Sequence, residues 1–440
     1  MSRWLRLGRA AALALGCGPG TSAVDGGFGG SDSGGSDPAS TGGGHDTVGG
    51  ETPSTEDCLA AGGNYRELNP PEVLPGPTFR PELPTGDPSG FFRVLGVQTR
   101  DDGHWLAISV DPPGADHDLV FGVELSLDGE PLAPAVRLDD AWAYGRVWPG
   151  SNGAVVTYVE QEQARWSFID RHGTQIAVGG SEAKDPRVLR TPSAAWVTPD
   201  TALIAWIETG VSCNGGQSCI FVARAGRDSS APSRAIASGG AWGHGPGVSV
   251  IVGADSGMVA MLRVDDSFDE ALHIVAIPID LHGSPTAAPT VVEVPPSSGG
   301  TPVSRSNDAQ LWYDNDGGFV VYLGGFGPSL GVLRLDRDGG VVAPLQELST
   351  SVAAGVSAVY SHDMWPAVSV SADVHIVTGR AVWGGALWSL ATAIDTQGRP
   401  LGDTLRFAHS LVPSSHGGRT WLFGDYLGGG LQVTELGCVP

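Results

Sequence analysis

The sequence has little of what long helices require. Lysine occurs once, at Lys184, methionine occurs four times, and charged residues make up 17% of the chain. That charged fraction is below the usual quarter. Segments with apolar residues at three- and four-residue spacing are scarce as well. Glycine and proline are abundant instead, with 66 and 32 residues. This composition predicts a chain rich in tight turns and short strands.

Basic residues are outnumbered by acidic ones. The chain has 25 Lys and Arg residues against 48 Asp and Glu residues, which gives a formal net charge of −23 at pH 7. A surface this acidic repels phosphate groups, so we expect no nucleic-acid partner and no direct adhesion of the folded body to anionic lipid. Solubility is the simplest role of the charge.

No apolar run is long enough to cross a bilayer, which takes about 20 residues. A short apolar run, Ala10 to Gly16, follows a start that carries Arg3, Arg6 and Arg9 and no acidic residue. This order is the layout of a secretory signal peptide, so residues 1–16 are predicted to direct export.

The apolar run ends in Ala14-Leu15-Gly16-Cys17. This segment resembles the lipobox of bacterial lipoproteins, with Ala14 and Leu15 in exchanged order. The resemblance implies that Cys17 becomes the new N-terminus and carries acyl chains, which would be the protein's attachment to a membrane. Gly18 stands where an Asp would favour the inner membrane, so the outer membrane is implied, on its periplasmic or surface side.

Residues 18–57 consist of Gly, Ser, Thr, Asp and Pro with almost no apolar side chains. Such a segment cannot bury enough surface to offset its ordering entropy, so residues 17–57 are predicted to be a lipidated, disordered tether. With this tether the chain resembles bacterial surface lipoproteins, including those of myxobacterial type. Asp32-Ser33-Gly34-Gly35 resembles the nucleophile motif of trypsin-like proteases, but a disordered tract supplies neither an oxyanion hole nor a positioned His.

From about residue 91 the chain repeats a strand that runs into a glycine turn. The repeat occurs at 121–131, 166–175, 274–285, 330–340 and 390–400, with 219–232 as a looser member. The turns end in Gly129, Gly173, Gly283, Gly339 and Gly398. Asp-Gly, His-Gly and Gln-Gly pairs are typical of hairpins, so type I′ turns with positive φ are predicted.

Each repeated strand follows another apolar strand, and a weaker strand follows its turn. The preceding strands are predicted at 104–111, 153–160, 201–208, 257–265, 317–324 and 374–381. Several of them follow a shorter strand, at 93–99, 194–199, 247–253 and 367–372. The unit is four antiparallel strands in about 44–59 residues, which is typical of a propeller blade. Residues 58–440 are therefore predicted to form one all-β domain, a β-propeller.

Six units are visible, and residues 419–426 and 431–436 are predicted as the first two strands of a seventh. We favour seven blades over six. The partial blade would leave an unpaired edge, so residues 58–90, including Thr78-Phe79-Arg80, are expected to complete it and close the ring. A pair of β-sandwiches and a β-helix are the competing architectures.

Four cysteines remain besides Cys17, an even number for an oxidising compartment. Cys213 and Cys219 flank a short loop, and Cys58 and Cys438 mark the two ends of the predicted ring. We expect disulfides 213–219 and 58–438. Free thiols are less consistent with export, and the CxxC spacing of a zinc site is absent.

No metal, cofactor or catalytic residue is predicted. Asp314-Asn315-Asp316-Gly317 and Asp336-Arg337-Asp338-Gly339 resemble the start of Ca²⁺ loops, but Leu323 and Leu345 stand where the closing Glu would be. Ordinary turns are the expected role of both segments.

The segment Thr99 to Trp105 resembles the Asp-box of sialidases, which marks turns in another propeller family. Its aromatic residue comes one position early, and no arginine cluster for a sialic acid carboxylate is evident in the sequence. Four histidines, His104, His172, His282 and His362, lie in or beside predicted turns, where we expect them to be solvated.

These patterns favour a monomeric, non-catalytic binding module for an unknown protein or glycan ligand. The alternative is a tethered glycan-active hydrolase or lyase with its site at the mouth of the propeller channel. An enzyme of that kind needs two carboxylates about 5–10 Å apart or a perturbed base in a pocket, whereas a binding module needs neither.

Overall fold

The fold is seen in a computed structural model of the chain. The residues that it describes are 58, 63–68, 72–75, 92–110, 119–138, 145–150, 152–170, 172, 174–181, 187–188, 191–209, 218–227, 233–238, 248–264, 272–294, 309–313, 318–326, 329–348, 356–360, 368–369, 374–383, 386–395, 400–402, 404–407, 411–416, 418–426 and 430–439. The predicted signal peptide and tether, with Cys17, lie outside these residues. Among the described residues, no helix is long and apolar enough to cross a membrane.

The first half of the folded body contributes 15 strands within the described residues. They are β1 (Asn64–Glu67), β2 (Glu72–Pro75), β3 (Phe92–Arg100), β4 (Gly103–Val110), β5 (Leu119–Leu125), β6 (Val136–Arg137), β7 (Arg146–Gly150), β8 (Gly153–Glu160), β9 (Gln163–Asp170), β10 (Gln175–Gly180), β11 (Arg187–Val188), β12 (Ser193–Thr198), β13 (Thr201–Thr209), β14 (Ser218–Gly226) and β15 (Arg234–Ser238).

The remaining strands continue the same pattern to the end of the chain. They are β16 (Val248–Val252), β17 (Gly257–Val264), β18 (Leu272–Ile279), β19 (Thr290–Val294), β20 (Ala309–Tyr313), β21 (Phe319–Phe326), β22 (Ser329–Leu335), β23 (Val341–Leu348), β24 (Val356–Tyr360), β25 (Val368–Ser369), β26 (Val374–Trp383), β27 (Ala386–Asp395), β28 (Leu405–Phe407), β29 (Leu411–His416), β30 (Arg419–Tyr426) and β31 (Gly430–Val439).

The described strands form seven separate antiparallel sheets. We number them along the chain: sheet 1 (β3–β6), sheet 2 (β7–β10), sheet 3 (β11–β15), sheet 4 (β16–β19), sheet 5 (β20–β23), sheet 6 (β24–β28) and sheet 7 (β29–β31 with β1 and β2). Each sheet has four strand positions. In sheets 3, 6 and 7 one position is shared by two short strands, β11 with β12, β24 with β25, and β1 with β2.

The central strands of the sheets are covered on both faces. In β8 the first six residues are all buried, although successive side chains of a strand point to opposite faces. Both faces of the strand must therefore pack against neighbouring sheets. The last strand of the same sheet, β10, is mostly exposed. In this sheet burial is therefore highest in the central strands, β8 and β9, and lowest in the last strand, β10.

Neighbouring sheets contact one another mainly through their first strands, although sheet 5 meets sheet 6 through its second strand, β21. β3 contacts β7, β7 contacts β12, β12 contacts β16, β16 contacts β20, β21 contacts β24, and β25 contacts β29. The circuit closes because β29 contacts β3. A circuit of small antiparallel sheets is a β-propeller, so the predicted all-β fold and its four-stranded units are confirmed.

Sheet 7 combines both ends of the folded body. β1 and β2 pair antiparallel with β31, so residues near Cys58 complete a sheet whose other three strands come from the end of the chain. The sequence predicts residues 419–426 as the first strand here, but β29 precedes them and pairs with β30. Thr78-Phe79-Arg80, the segment expected to take part, lies outside the described residues.

A disulfide joins Cys58 to Cys438 across 380 residues of sequence, with a Cα–Cα distance of 6.0 Å. This predicted pairing is confirmed. Gly63 is required beside it, because a Cβ atom there would lie 2.5 Å from Cys58 Sγ and 2.8 Å from Cys438 Sγ. Cys219 is disulfide-bonded as well. Its predicted partner, Cys213, lies outside the described residues.

The glycine turns differ from the prediction in type. Gly129, Gly283 and Gly339 have positive φ, but the two residues before each of them do not. A type I′ turn needs positive φ at both central residues, so that prediction is wrong. In each case the glycine N–H donates to the carbonyl three residues earlier, as in a type I turn followed by a glycine bulge. Gly173 and Gly398 lie outside the described residues.

Candidate functional site

Within the described residues, the strands nearest the propeller axis contain no Asp or Glu. These are the strands through which neighbouring sheets meet, together with the short segments that share their position: β3, β7, β11, β12, β16, β20, β24, β25 and β29. Their sequences hold Trp, Tyr, Ser, Gln, Arg and His, but neither Asp nor Glu. In a chain with 48 acidic residues this is a marked exclusion. The described innermost strands therefore place no carboxylate at the axis.

Two tryptophans on neighbouring innermost strands are partly buried, Trp148 in β7 and Trp196 in β12. The Trp148 indole N–H donates to Thr157 Oγ1 at 3.0 Å, and the Trp196 indole N–H donates to the Trp148 carbonyl at 3.0 Å. Gly150 leaves the space that the Trp196 ring fills, since a Cβ there would collide with the indole. The polar atoms of both rings are thus satisfied inside the protein, and the rings keep some solvent-facing surface.

A cavity of about 180 Å³ lies between sheets 1 and 2. Its lining consists of Arg100, Asp102, Gly103, His104, Glu124, Leu125, Leu132 and His172. The turn between β3 and β4 supplies the first residues, and the turn between β9 and β10 supplies His172. Ligand sites are concave and hold a few convergent polar groups, usually in a pocket of about 300–1,000 Å³. This cavity is smaller than that, but its polar groups converge, so it is the candidate functional site.

The turn between β3 and β4 is the segment that resembles an Asp-box. Gly103 has φ of 142° and no room for a Cβ, which would collide with the Leu125 carbonyl oxygen. The Arg100 guanidinium lies 3.4 Å from an Asp102 carboxylate oxygen. The side chains of the pair are 20% and 70% exposed, so Asp102 stands in solvent at the cavity mouth. What this segment shares with an Asp-box is its position in a turn between two strands.

His104, expected to be solvated, is only 1% exposed. That prediction is wrong because sheet 7 covers the ring: Trp421 and Phe423 of β30 each contact it edge-on, with ring centroids 4.8 Å apart. His104 Nδ1 hydrogen-bonds with Thr99 Oγ1 at 2.9 Å, and Nε2 approaches the Leu127 carbonyl at 3.4 Å. Burial lowers the pKa of His104 to about 4, so the ring is neutral at pH 7.

Two of the three other histidines expected in turns, His172 and His282, lie within the described residues. His172 and His282 are exposed or partly exposed in the turns after β9 and β18, as expected, and His362 lies outside the described residues. Their backbone N–H groups donate to Asp170 Oδ1 and Asp280 Oδ1 at 2.9 and 2.8 Å.

The Asp336 motif is a turn rather than a metal loop. Asp336 Oδ1 accepts from the backbone N–H groups of Asp338 and Gly340, at 2.9 and 2.6 Å. Within the described part of the chain, no group of His, Cys, Asp and Glu side chains could hold a metal ion. The similar segment Asp314 to Gly317 lies outside the described residues.

Gly327-Pro328-Ser329-Leu330-Gly331 has the spacing of the nucleophile elbow of α/β-hydrolases. That elbow requires a strand that turns into a helix. Ser329 instead begins β22, opposite Phe326 in the hairpin with β21. The structural context of a nucleophile is therefore absent.

Comparison with known proteins identifies no family. No protein-family model matches the chain, and no curated protein sequence matches it. A solved structure of a protein of unknown function from Dyadobacter fermentans is 11% identical, with a TM-score of 0.46, and covers 86% of this chain and 100% of that one. The α-L-arabinofuranosidase Arb93A from Fusarium graminearum is also 11% identical, with a TM-score of 0.44, and covers 76% and 98%.

Prolyl oligopeptidase B from Galerina marginata is 6% identical, with a TM-score of 0.43, and covers 76% of this chain. The chain spans less than half of that enzyme, 47% of its length. At these identities the similarity concerns the fold alone. The function of this chain is therefore argued from its own residues.

Proposed function

We propose that this chain is a non-catalytic binding module, a seven-bladed propeller held at the cell envelope by an acylated Cys17. The seven sheets and their closed circuit of contacts support the blade number. The charged start, the short apolar run and the cysteine at its end support the anchor.

The observation that carries the binding role is the absence of Asp and Glu from the innermost strands. Catalysis of glycoside cleavage needs a pair of carboxylates across the scissile bond. The innermost strands offer aromatic, hydroxyl and guanidinium groups instead, which recognise a ligand without cleaving it. Two polar groups of the candidate cavity are already engaged within the protein: Arg100 with Asp102, and His104 with Thr99.

Binding at the axis is tested with Trp148 and Trp196. Purified full chain is titrated with a panel of bacterial envelope polysaccharides while tryptophan fluorescence and heat are recorded. We expect saturable binding without any product, weakened at least fivefold by Trp148→Phe. Val342→Ala, an exposed change on β23, serves as the control and should bind normally. Unchanged affinity in Trp148→Phe at an unchanged melting temperature would contradict a ligand at the axis.

A hydrolase is the second candidate, and one observation favours it. Asp102 and Glu124 line the same cavity, so two carboxylates do lie near each other there. A hydrolase would release reducing ends from one of the panel polysaccharides, and Glu124→Gln and Asp102→Asn would each lower the rate by at least a hundredfold. A product that still forms in both variants would rule out this cavity as the catalytic site.

A further inference from the structure

The turns that join the third and fourth strands of sheets 4 and 5 share one geometry. In sheet 4, Asp280 Oδ1 accepts the backbone N–H groups of His282 and Ser284, both at 2.8 Å. The turn of sheet 5 repeats this pattern from Asp336. Each turn is thus held in shape by the carboxylate of its own first residue.

Both turns lie against the preceding sheet. A Cβ atom on Gly283 would lie 2.7 Å from Val222 Cγ1 in β14, so the turn of sheet 4 sits on sheet 3. For Gly339 in the turn of sheet 5, the nearest atoms belong to Pro278 and Thr290 of sheet 4, which carry no charge. A turn of this shape can therefore sit on a neighbouring sheet through uncharged contacts.

Two arginines of sheet 3 reach the turn of sheet 4. Arg224 Nη1 donates to His282 Nδ1 at 2.7 Å, and Arg234 Nη1 donates to Ser284 Oγ. Arg234 lies opposite Val222 in the β14–β15 register, and Arg224 is two residues further along β14. Both side chains are consequently on one face of sheet 3, and their guanidinium groups approach the same turn at its two ends.

Within the described residues, neither Arg224 nor Arg234 has a carboxylate at ion-pair distance. Three other described arginines, Arg165, Arg227 and Arg419, each lie within 3.5 Å of an Asp or Glu side chain. The chain has 48 acidic residues against 25 basic ones, so two adjacent arginines without an acidic partner are an exception. Their positive charge is available to an anion from solution.

The side chains that contact the two arginines add donors to this place. A guanidinium group can only donate, so His282 Nδ1 is the acceptor and the neutral ring has its proton on Nε2. Ser284 Oγ accepts from Arg234 and keeps its own proton to donate. Each guanidinium has five N–H bonds, of which these contacts use one. The donors that remain suit an oxyanion.

We propose that Arg224 and Arg234 form a binding site for a phosphate group, either free or carried by a small ligand. A carboxylate has two oxygens in one plane and matches a single guanidinium. A phosphate group has three acceptor oxygens in different directions, so it can accept from two guanidinium groups that reach it from opposite ends of a turn. β14 and β15 are the outer strands of sheet 3, so this site is separate from the innermost strands.

The net charge of the chain favours a single phosphate group over a polymer of them. Charges act over about 10 Å at 0.1 M salt, so the two arginines dominate the potential close to them. Each further phosphate of a nucleic acid would face the surrounding acidic surface and be repelled. The expectation that no nucleic acid binds is consistent with this site.

The test is isothermal titration calorimetry of the full chain with inorganic phosphate at low salt, with Cys17→Ser in every sample. Arg224→Gln and Arg234→Gln should each weaken binding about tenfold or more, the loss of one charge-assisted hydrogen bond. Arg224→Lys keeps the charge and should lose less than Arg224→Gln. Arg337→Gln is the matched control, because Arg337 lies in the corresponding turn of sheet 5 beside Asp255, at 3.7 Å, and should bind like the parent.

Glucose 6-phosphate and acetate, titrated in the same way, distinguish the ligands. Tighter binding of glucose 6-phosphate than of inorganic phosphate would support a phosphorylated sugar, and equal binding would support the free anion. Acetate bound as tightly as phosphate would overturn the proposal, because a planar group would then suffice.

The parent chain and two variants decide whether the site exists. No saturable phosphate binding by the parent, or an equal loss in Arg224→Gln and Arg337→Gln, would overturn the proposal. Melting temperatures of these variants should equal that of the parent, since the turn of sheet 5 is held without such arginines. Trp148→Phe should bind phosphate like the parent, so the result is independent of any ligand at the axis.

Discussion

At the scale of single residues, the burial of His104 links stability to pH. The folded chain holds this ring neutral with its pKa lowered to about 4, against 6.5 for an exposed histidine. Burial is the main cause and Arg419 adds to it, while the Leu127 carbonyl, Glu435 and Asp128 oppose it. As pH falls from about 6.5 to 4, the unfolded chain binds a proton that the folded chain excludes. Stability conferred by the neutral ring is therefore present above pH 6.5 and lost on acidification.

The prediction is a loss of about 3 kcal/mol in unfolding free energy between pH 7 and pH 4 from this residue. Denaturant unfolding of the parent and of His104→Gln, across that range, measures it. His104→Gln has no imidazole to titrate, so its unfolding free energy should fall less between pH 7 and pH 4. At pH 7 its unfolding free energy should be lower than that of the parent. His282→Gln is the control, because His282 lies in an exposed turn. If the unfolding free energies of the parent and of His104→Gln depended equally on pH, the folded chain would protonate His104 as readily as the unfolded chain does.

At the scale of elements, the hairpin between β8 and β9 holds two residues in the left-handed region. Gln161 has φ of 49° and Glu162 has φ of 64°, and no glycine relieves either position. Positive φ at both central residues defines a type I′ turn, the two-residue hairpin that matches strand twist. The type I′ geometry expected at the glycine turns is thus found at a turn without glycine.

Two substitutions at Gln161 should differ in their effect on unfolding free energy, although the residue is exposed. Gln161→Val places a β-branched side chain at positive φ and should destabilise by about 1–2 kcal/mol. Gln161→Asn, which tolerates this conformation, should match or exceed the parent. Thermal and denaturant unfolding of the two variants compares them directly. Equal stability of both would mean that the hairpin relaxes to another turn type.

Hydroxyl groups connect neighbouring sheets along their innermost strands. Ser193 Oγ accepts the Val250 N–H at 3.1 Å, and Ser249 Oγ accepts the Leu311 N–H at 3.2 Å. Thr99 donates to Ser414 Oγ at 2.7 Å where sheets 1 and 7 meet. An innermost strand has no partner strand on its axial side, so a side chain of the adjacent sheet supplies an acceptor. Serine and threonine on these strands therefore have a structural role as well as any role in binding.

At the scale of the whole molecule, the Cys58–Cys438 disulfide secures the closure of the ring. Chain-entropy arguments for a loop of 380 residues give a stabilisation of about 6 kcal/mol. Replacing both cysteines by Ser should lower the melting temperature and make β31 the first site of proteolysis. Replacing Cys213 and Cys219 by Ser is the matched control and should change the melting temperature little. Equal effects of the two double variants would contradict a special role for the closure.

Membrane attachment is predicted to depend on Cys17 alone. In its native host the parent chain should partition into the detergent phase, and Cys17→Ala should not. The folded body should remain intact, with the same melting temperature, because the predicted tether would separate the acyl chains from it. A parent chain recovered in the aqueous phase, cleaved at another residue, would contradict lipidation.

The sequence predicted the central strands better than the innermost ones. β8 has the predicted bounds, 153–160, because a short apolar run rich in β-branched residues and bounded by turn residues favours a strand covered on both faces. β7 was not predicted, since Pro149 and Gly150 in Arg146–Gly150 indicate a turn when read locally. Its position is defined by β8 on one side and by contacts with β3 and β12. Those contacts exist only in the closed ring.

Local periodicity is enough to predict the strand content and the four-stranded repeat. The pairing of Cys58 with Cys438 follows because the two ends of a closed ring must meet. Tertiary structure alone decided the environment of His104. Its neighbours Asp101, Asp102 and Gly103 indicate an exposed turn, and the turn is indeed there. Trp421 and Phe423, more than 300 residues away in sequence, cover the ring because sheet 7 packs against sheet 1. Burial depends on what the closed ring places over a residue, and no local pattern encodes it.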